Sequence, residues 1–350
     1  MIFSQLVLNW FHQYGRKNLP WQKNNTVYHT WISEIMLQQT KVNTVIPYFK
    51  KFILIFPNIQ TLANSSLDQV MYIWSGMGFY NRAKNLHRTA NIIMKQYNGK
   101  FPENFYTIIQ FPGIGRTTAG AILSLSFKFY FSILDSNIKR ILLRYYAIEG
   151  IINNKKIEIK LWKMIELITP IHNTDKFNQA MMDIGALICI PINPKCTICP
   201  LNKLCISYKT LTYTKYPTKN KKKNIEKQFW CIVIQYKHYI LLELCKINNL
   251  WSNLFILPTF TKEINILSWY KENQLIDTKK IPLKPSHHKI SNFLLTLHTT
   301  LITIESKKKI IKKEKNIWYN LIKPQQIGIP KPIMIILKNL HNINNKNGKN

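Results

Sequence analysis

Four cysteines between residues 189 and 205 constrain this chain more than any other feature: Cys189, Cys196, Cys199 and Cys205, in the spacing C-x6-C-x2-C-x5-C. Four thiolates so close in sequence bind either a tetrahedral zinc ion or an iron–sulfur cluster. Four-cysteine zinc sites usually show two close pairs, whereas this array has one close pair flanked by longer loops, which favours a [4Fe–4S] cluster. Four buried structural thiols at this density would be unusual, and in a reducing compartment the clustering argues for metal over disulfides. Lys195, inside the first loop, would carry charge beside the cluster. The remaining two cysteines, Cys231 and Cys245, lie among apolar residues in or beside predicted strands and read as core.

The 350 residues suggest about two domains. A formal charge of +33, from 49 Lys+Arg against 16 Asp+Glu, fits a polyanionic partner, most often nucleic acid. The abundance of Lys, Asn, Ile, Tyr and Phe is also what AT-rich coding sequence produces, so the charge alone does not specify a function. No stretch approaches the roughly 20 apolar residues that span a bilayer, and no secretory leader is legible, so a cytoplasmic protein without a membrane partner is expected. Residues 1–208 read as helical, beginning with an amphipathic helix in which Leu6, Trp10 and Tyr14 share a face. Residues 209–227 read as a basic linker. Over 228–338 the apolar period moves towards two, with strands at 229–235, 239–244 and 294–304, so an α+β domain is expected there. A disordered tail is expected over 339–350, most clearly from Asn342, where Asn, Lys and Gly dominate.

Three stretches of the helical region carry chemistry. Residues 31–40, WISEIMLQQT, read as a short helix with Glu34 against Thr30, Trp31, Leu37 and Gln38 at helical spacing. A carboxylate against Trp and Leu loses solvent and its pKa rises, as a general acid near neutral pH requires. The alternative is an ordinary surface Glu on an amphipathic helix. Residues 103–125 read as helix, Phe111-Pro-Gly-Ile-Gly115 turn and second helix. Gly113 and Gly115 permit close backbone approach, and the free amides at the second helix make a phosphate site. An ordinary helical hairpin would look similar. At 133–140 an apolar run stops at Asp135-Ser136-Asn137 before a helix with Ile138, Ile141, Leu142 and Tyr145 on one face. Asp135 is a second carboxylate, and it is also a preferred helix N-cap. Between these, Gly76 and Gly78 lead through Phe79 and Tyr80 into a helix bearing Arg82, Lys84 and Arg88, which suits a distorted duplex or equally a solvated basic face.

Taken together, these segments resemble the helix-hairpin-helix DNA glycosylases, specifically the MutY-type adenine DNA glycosylases, from about residue 5 to about residue 325. The carriers are WISEIMLQQT (31–40), FPGIGRTTAG (111–120), ILDSNIKR (133–140), FNQAMMDIG (177–185) and the cysteine spacing. The resemblance implies a six-helix barrel over about 21–129 and a [4Fe–4S] cluster domain made from 1–20 and about 130–208. A Nudix-like domain that reads the mismatch follows over 228–338. It implies that Glu34 protonates adenine at N7, that Asp135 stabilises the oxocarbenium-like sugar, and that Asn137 orients sugar or water. It places Gln38, Gln39, Phe79, Tyr80, Arg82, Gly113, Gly115, Thr117, Lys195 and Ser291 towards DNA. The expected partner is double-stranded DNA containing adenine opposite 8-oxoguanine or guanine, bound by a monomer.

Two departures matter. The family's Gly-Leu-Trp-Gly-Gly-Leu stretch is Asn249-Leu-Trp-Ser-Asn-Leu254 here, and no Nudix hydrolase signature is present. The family's Phe-Ser-His triplet beside the oxidised base is Ile290-Ser291-Asn292, which predicts a reduced preference for 8-oxoguanine. An endonuclease III-type glycosylase-lyase is the near alternative; it needs a Lys in the hairpin's second helix, where Thr117 stands. A non-catalytic cluster protein that binds nucleic acid is the distant one.

Overall fold

A computed structural model describes residues 2–23, 25–152, 154–218, 225–245, 250–290, 293–307 and 316–347. The helical part runs α1 (Ile2–Tyr14), α2 (Pro20–Lys23), α3 (Val27–Leu37), α4 (Val42–Ile55), α5 (Ile59–Asn64), α6 (Leu67–Trp74), α7 (Asn81–Tyr97), α8 (Phe105–Ile108), α9 (Arg116–Phe127), α10 (Ser136–Tyr145), α11 (Lys155–Ile168), α12 (Thr174–Leu187) and α13 (Ile206–Lys209). The rest runs β1 (Ile225–Tyr236), β2 (Tyr239–Leu244), β3 (Phe255–Ile256), β4 (Thr259–Phe260), α14 (Ile264–Glu272), β5 (Lys280–Ile290), β6 (Phe293–Thr303), β7 (Asn316–Asn320) and α15 (Lys331–Asn347). Two compact units result: Met1–Asn64 with Asn85–Lys221, and Ser65–Lys84 with Lys222–Asn350.

In the first unit α3 packs against α4 and α9, and Trp31, Ile32, Met36 and Ile122 are fully buried. A second group of buried residues joins the two ends of the region: Phe3 and Val7 of α1, Ile138, Ile141 and Leu142 of α10, Trp162 of α11, and Phe177, Met181 and Ile184 of α12. The buried face of α1 is therefore Phe3–Val7, with Leu6 and Trp10 at its edges. Tyr14, expected on that face, is exposed, because the helix ends there and its last turn leaves the core. Arg16 follows, and its backbone amide and guanidinium both donate to Asp183, which is fully buried, at 2.7, 3.0 and 2.6 Å. That pair ties the segment after α1 to α12. The helix expected before the hairpin is a single turn, α8, started by Asn104, whose Oδ1 accepts from the Thr107 amide.

The second unit is a mixed sheet in the order β3-β2-β1-β6-β5, with β4 on β1 and β7 on β2. β1 and β6 are parallel, pairing Ile225 with Phe293 through Gln235 with Thr303. α14 covers one sheet face, where Trp269, Tyr270 and Leu275 pack with Ile232, Ile234, Leu241 and Ile302. β5 escaped the sequence pattern: it is an edge strand carrying Pro282 and Pro285, tolerated because an edge leaves one side unpaired and the ladder shifts at Leu283/Ser286. β1 begins at Ile225, inside the expected linker. α15 continues to Asn347 where an irregular tail was expected, nucleated by buried Ile333, Ile336, Leu337 and Leu340.

Residues 65–84 belong to this unit for a packing reason. Gly328 sits where a side chain would strike Met71 Cβ at 2.7 Å and Leu254 at 2.9 Å, and the Ile329 amide donates to Ser75 Oγ. Asn253, at one of the replaced family glycines, takes φ 62°, a left-handed conformation that Asn tolerates.

Candidate active site

α3 starts at Thr26, whose side chain accepts from the His29 amide, and its buried face is Tyr28, Trp31, Ile32 and Ile35. Glu34 sits one step off that face. It is half-buried and lines a cavity of about 180 Å³ with Trp21, Gln22, Thr30, Ser33 and Gln179. Burial, and then the charge of Asp135, push its pKa from 4.5 up to about 7. No stabilising partner acts in the other direction.

Asp135 is held very differently. Gly120 of α9 has no room for a side chain, since a Cβ there would meet the Ser132 carbonyl at 2.8 Å. The extended segment before α10 therefore lies directly on α9. Thr117 Oγ1 donates to the Leu134 carbonyl at 3.1 Å, fixing the backbone just before the carboxylate. Asp135 then caps α10: its Oδ1 accepts from the Ile138 amide at 2.7 Å and its Oδ2 from Asn137 Nδ2 at 2.9 Å. Burial raises its pKa, while the Ile138 amide, Asn137 and the Arg140 charge pull the other way. The two carboxylates thus share a field but not an environment. Both are desolvated, and only Asp135 has donors acting against the rise.

Asn137 is itself placed by contacts that the sequence did not reveal. Arg140 donates to Asn137 Oδ1 at 2.9 Å and to the carbonyls of Gly185 and Cys189, both at 2.7 Å. Gly185 admits this arrangement because a Cβ would stand 2.5 Å from Asn137 Cβ. Both residues lie in motifs that carry the family resemblance. Arg140, three residues after Asn137 on a helix, shares its face, and that was the available signal.

The four clustered cysteines line one apolar cavity with Arg144, Tyr145, Ile184 and Leu201. Arg144 Nη1 lies 3.4 Å from Cys189 Sγ and also donates to the Ile190 carbonyl. Burial, followed by the neighbouring thiols, raises Cys196, and burial lifts Cys199 to about 12. Among the described residues no three such groups converge on a single metal ion. Lys195 is exposed on the loop between the first two cysteines.

Of the residues expected to face DNA, Gln38 donates to the Gly113 carbonyl and to Thr118 Oγ1, both at 3.3 Å, so α3 braces the hairpin. Gln39 is exposed at φ 57°. Gly113 needs its φ of 82°, and Gly115 stands exposed at the N-terminus of α9. Phe79, Tyr80 and Arg82 lie in the second unit. Phe79 is 44 % exposed, and the Tyr80 hydroxyl accepts from the Gly76 amide. Arg82 is not an exposed phosphate ligand: its guanidinium is buried, bonds the Gly78 carbonyl and lies over Trp74 and Phe79. It shapes the glycine turn. Ser291 and Asn292 lie outside the described residues, flanked by the paired Ile290 and Phe293.

Residues 32–167 match the HhH-GPD superfamily of base excision DNA repair proteins. The adenine DNA glycosylase of Buchnera aphidicola subsp. Acyrthosiphon pisum (strain APS) is 54% identical over 340 residues, spanning 97% of each chain. The chain belongs to the adenine DNA glycosylase family. The human adenine DNA glycosylase is 35% identical to this glycosylase over 212 residues, 58% of this chain and 39% of that one. A solved thermostable thymine-DNA glycosylase superposes on the glycosylase with TM-score 0.54 at 28% identity, over 60% of this chain and 96% of that one. The structure of a non-covalent endonuclease III–DNA complex shares the fold, with TM-score 0.52 at 20% identity. The glycosylase is a DNA N-glycosylase with a helical catalytic fold and a C-terminal mixed sheet, and it binds double-stranded DNA.

Proposed function

We propose that the enzyme removes adenine mispaired with 8-oxoguanine or guanine, by hydrolysis without strand cleavage. The observation that carries this reading is Glu34, desolvated to a pKa of about 7, facing the cavity of about 180 Å³ with the Asp135 charge nearby. A base must leave the duplex to be reached, and this cavity offers it a walled seat. Glu34 then delivers its proton to adenine N7, so the base departs neutral. Asp135, whose oxygens accept from the Ile138 amide and Asn137, faces the positive charge that develops on the sugar. Asn137, anchored through Arg140, keeps that carboxylate oriented while water adds. Thr117 offers a hydroxyl already bonded to Leu134 and no amine, so no imine forms with the opened sugar.

The cysteine cavity fits a [4Fe–4S] cluster: its donor set is four thiols around one dry space, with Arg144 to balance thiolate charge. Cys189, Cys196, Cys199 and Cys205 would hold it, and it would supply a rigid cross-link for the loop bearing Lys195. The mixed sheet with α14 on one face supports a Nudix-like role in reading the base opposite adenine.

The test is incubation with an 8-oxoguanine:adenine duplex, scoring free adenine and strand breaks before and after alkali. Free adenine with breaks only after alkali is expected. Glu34→Gln and Asp135→Asn should each bind the duplex and release none. Near-normal release by either variant, or breaks without alkali, overturns the reading.

A further inference from the structure

Arg116 is the first residue of α9, beside Gly115, where the hairpin presents its free amides. Its guanidinium carbon lies over the Trp162 ring, 3.9 Å from the centroid. The same guanidinium is ion-paired through Nη2 with Glu166, one helical turn beyond Trp162 on α11. Arg116 and Glu166 are each about half exposed, at 49% and 46%, so the pair is open to solvent. Trp162, by contrast, is core. The Glu166 backbone carbonyl is itself fixed, accepting from the Tyr130 hydroxyl at 3.1 Å.

This placement is costly in charge. The chain has 16 carboxylates against 49 Lys+Arg, and its partner is a polyanion. A carboxylate paired with the first residue of α9 opposes that partner unless it does something there. It offers the guanidinium what an incoming phosphate would, an oxygen anion, at a side chain that the indole already holds. We propose that Arg116 is a phosphate-binding residue of the hairpin and that Glu166 is its resident competitor. The carboxylate occupies the guanidinium on undocked protein and must be displaced when a backbone phosphate reaches the Gly113–Gly115 amides. Glu166 thereby weakens binding to any duplex, damaged or not, and limits non-specific retention of a protein carrying +33 charge. This inference rests on the reading that the hairpin meets the DNA backbone.

The test measures duplex affinity of the full chain as a function of salt. Glu166→Gln keeps the shape of the side chain and removes the charge. It should tighten binding to an undamaged duplex about two- to fivefold, the range of an exposed ion pair. The slope of log affinity against log salt should stay unchanged, since Arg116 meets the phosphate in both complexes once Glu166 is displaced. Arg116→Gln should weaken binding and flatten the slope, and the Glu166→Gln gain should vanish in that background. Gly115→Glu tests the underlying reading, because nothing lies within 4 Å of a Cβ there and the backbone conformation is ordinary. Loss of affinity in Gly115→Glu with no change in Glu166→Gln overturns the competitor while keeping the hairpin on DNA. No change in either removes the hairpin itself from the interface. Weaker binding by Glu166→Gln would make Glu166 a support for Arg116, and that also overturns the proposal.

Discussion

Replacing Glu34 by Gln should stabilise the enzyme at alkaline pH while abolishing adenine release. The magnitude follows from linkage. Glu34 has a folded-state pKa of about 7 against 4.5 for the free group. A raised carboxyl pKa contributes stability that is intact below the unfolded value and lost as pH rises through the folded value. The ionisation penalty is about 0.8 kcal/mol at pH 5 and about 3.3 kcal/mol at pH 8, since each tenfold change in proton affinity is about 1.36 kcal/mol. Glu34→Gln deletes the penalty but leaves an amide in a desolvated site, a cost of about 1–3 kcal/mol that does not depend on pH. The difference between pH 8 and pH 5 is therefore the clean quantity. The variant should gain about 2.5 kcal/mol on wild type across that interval. Urea unfolding of both proteins at the two pH values measures it. Difference infrared spectroscopy of the folded proteins follows the same carboxyl directly, with an expected midpoint near pH 7. In an Asp135→Asn background the midpoint should fall, because the Asp135 charge is the second cause of the raised pKa. A pH-independent stability difference, with a midpoint near 4.5, would show that Glu34 is an ordinary solvated carboxylate.

Single-turnover adenine release should fall tenfold per pH unit above about pH 7, as the Glu34 proton is lost; a flat profile to pH 9 argues against a Glu34 acid. Gly185→Ala drives a methyl into Asn137 Cβ, where 2.5 Å is available, and should lower single-turnover release about 10- to 100-fold at retained duplex affinity. Unchanged release would detach Asn137 from the chemistry. Arg16→Met strands the fully buried Asp183 carboxylate and should cost about 3–5 kcal/mol in urea unfolding, whereas an exposed pair would cost under about 1 kcal/mol. Purified enzyme should carry about four irons per chain and be brown, and one zinc in a colourless sample would refute the cluster.

Candidate site residues were legible wherever chemistry forces a residue type at a spacing. Four thiols in one short segment point to a metal site, and the fold gathers them around one cavity. Gly113 and Gly115 announce a turn, and an Asp before a helix announces a cap. The cap and the catalytic reading of Asp135 looked like rivals from sequence; the structure has Oδ1 accepting from the Ile138 amide as the cap and Oδ2 accepting from Asn137. Helical periodicity likewise located α3, α9 and α10, because burial of one face is a local pattern.

What periodicity could not show is which distant residues a side chain meets. Arg82, basic and beside a glycine turn, suited a distorted duplex or a solvated basic face from sequence, and packing buries it on Trp74. Gly185 and Asn137 are far apart in the chain, and only the docking of α12 on α10 makes a methyl between them intolerable. The pKa of Glu34 was predictable in direction from Trp31 and Leu37, but the part owed to Asp135 required both carboxylates in one field. Residue type and spacing therefore determined which groups could do the chemistry. Tertiary structure decided which way their pKa values move, because desolvation and Coulomb interaction depend on distance through space and not along the chain.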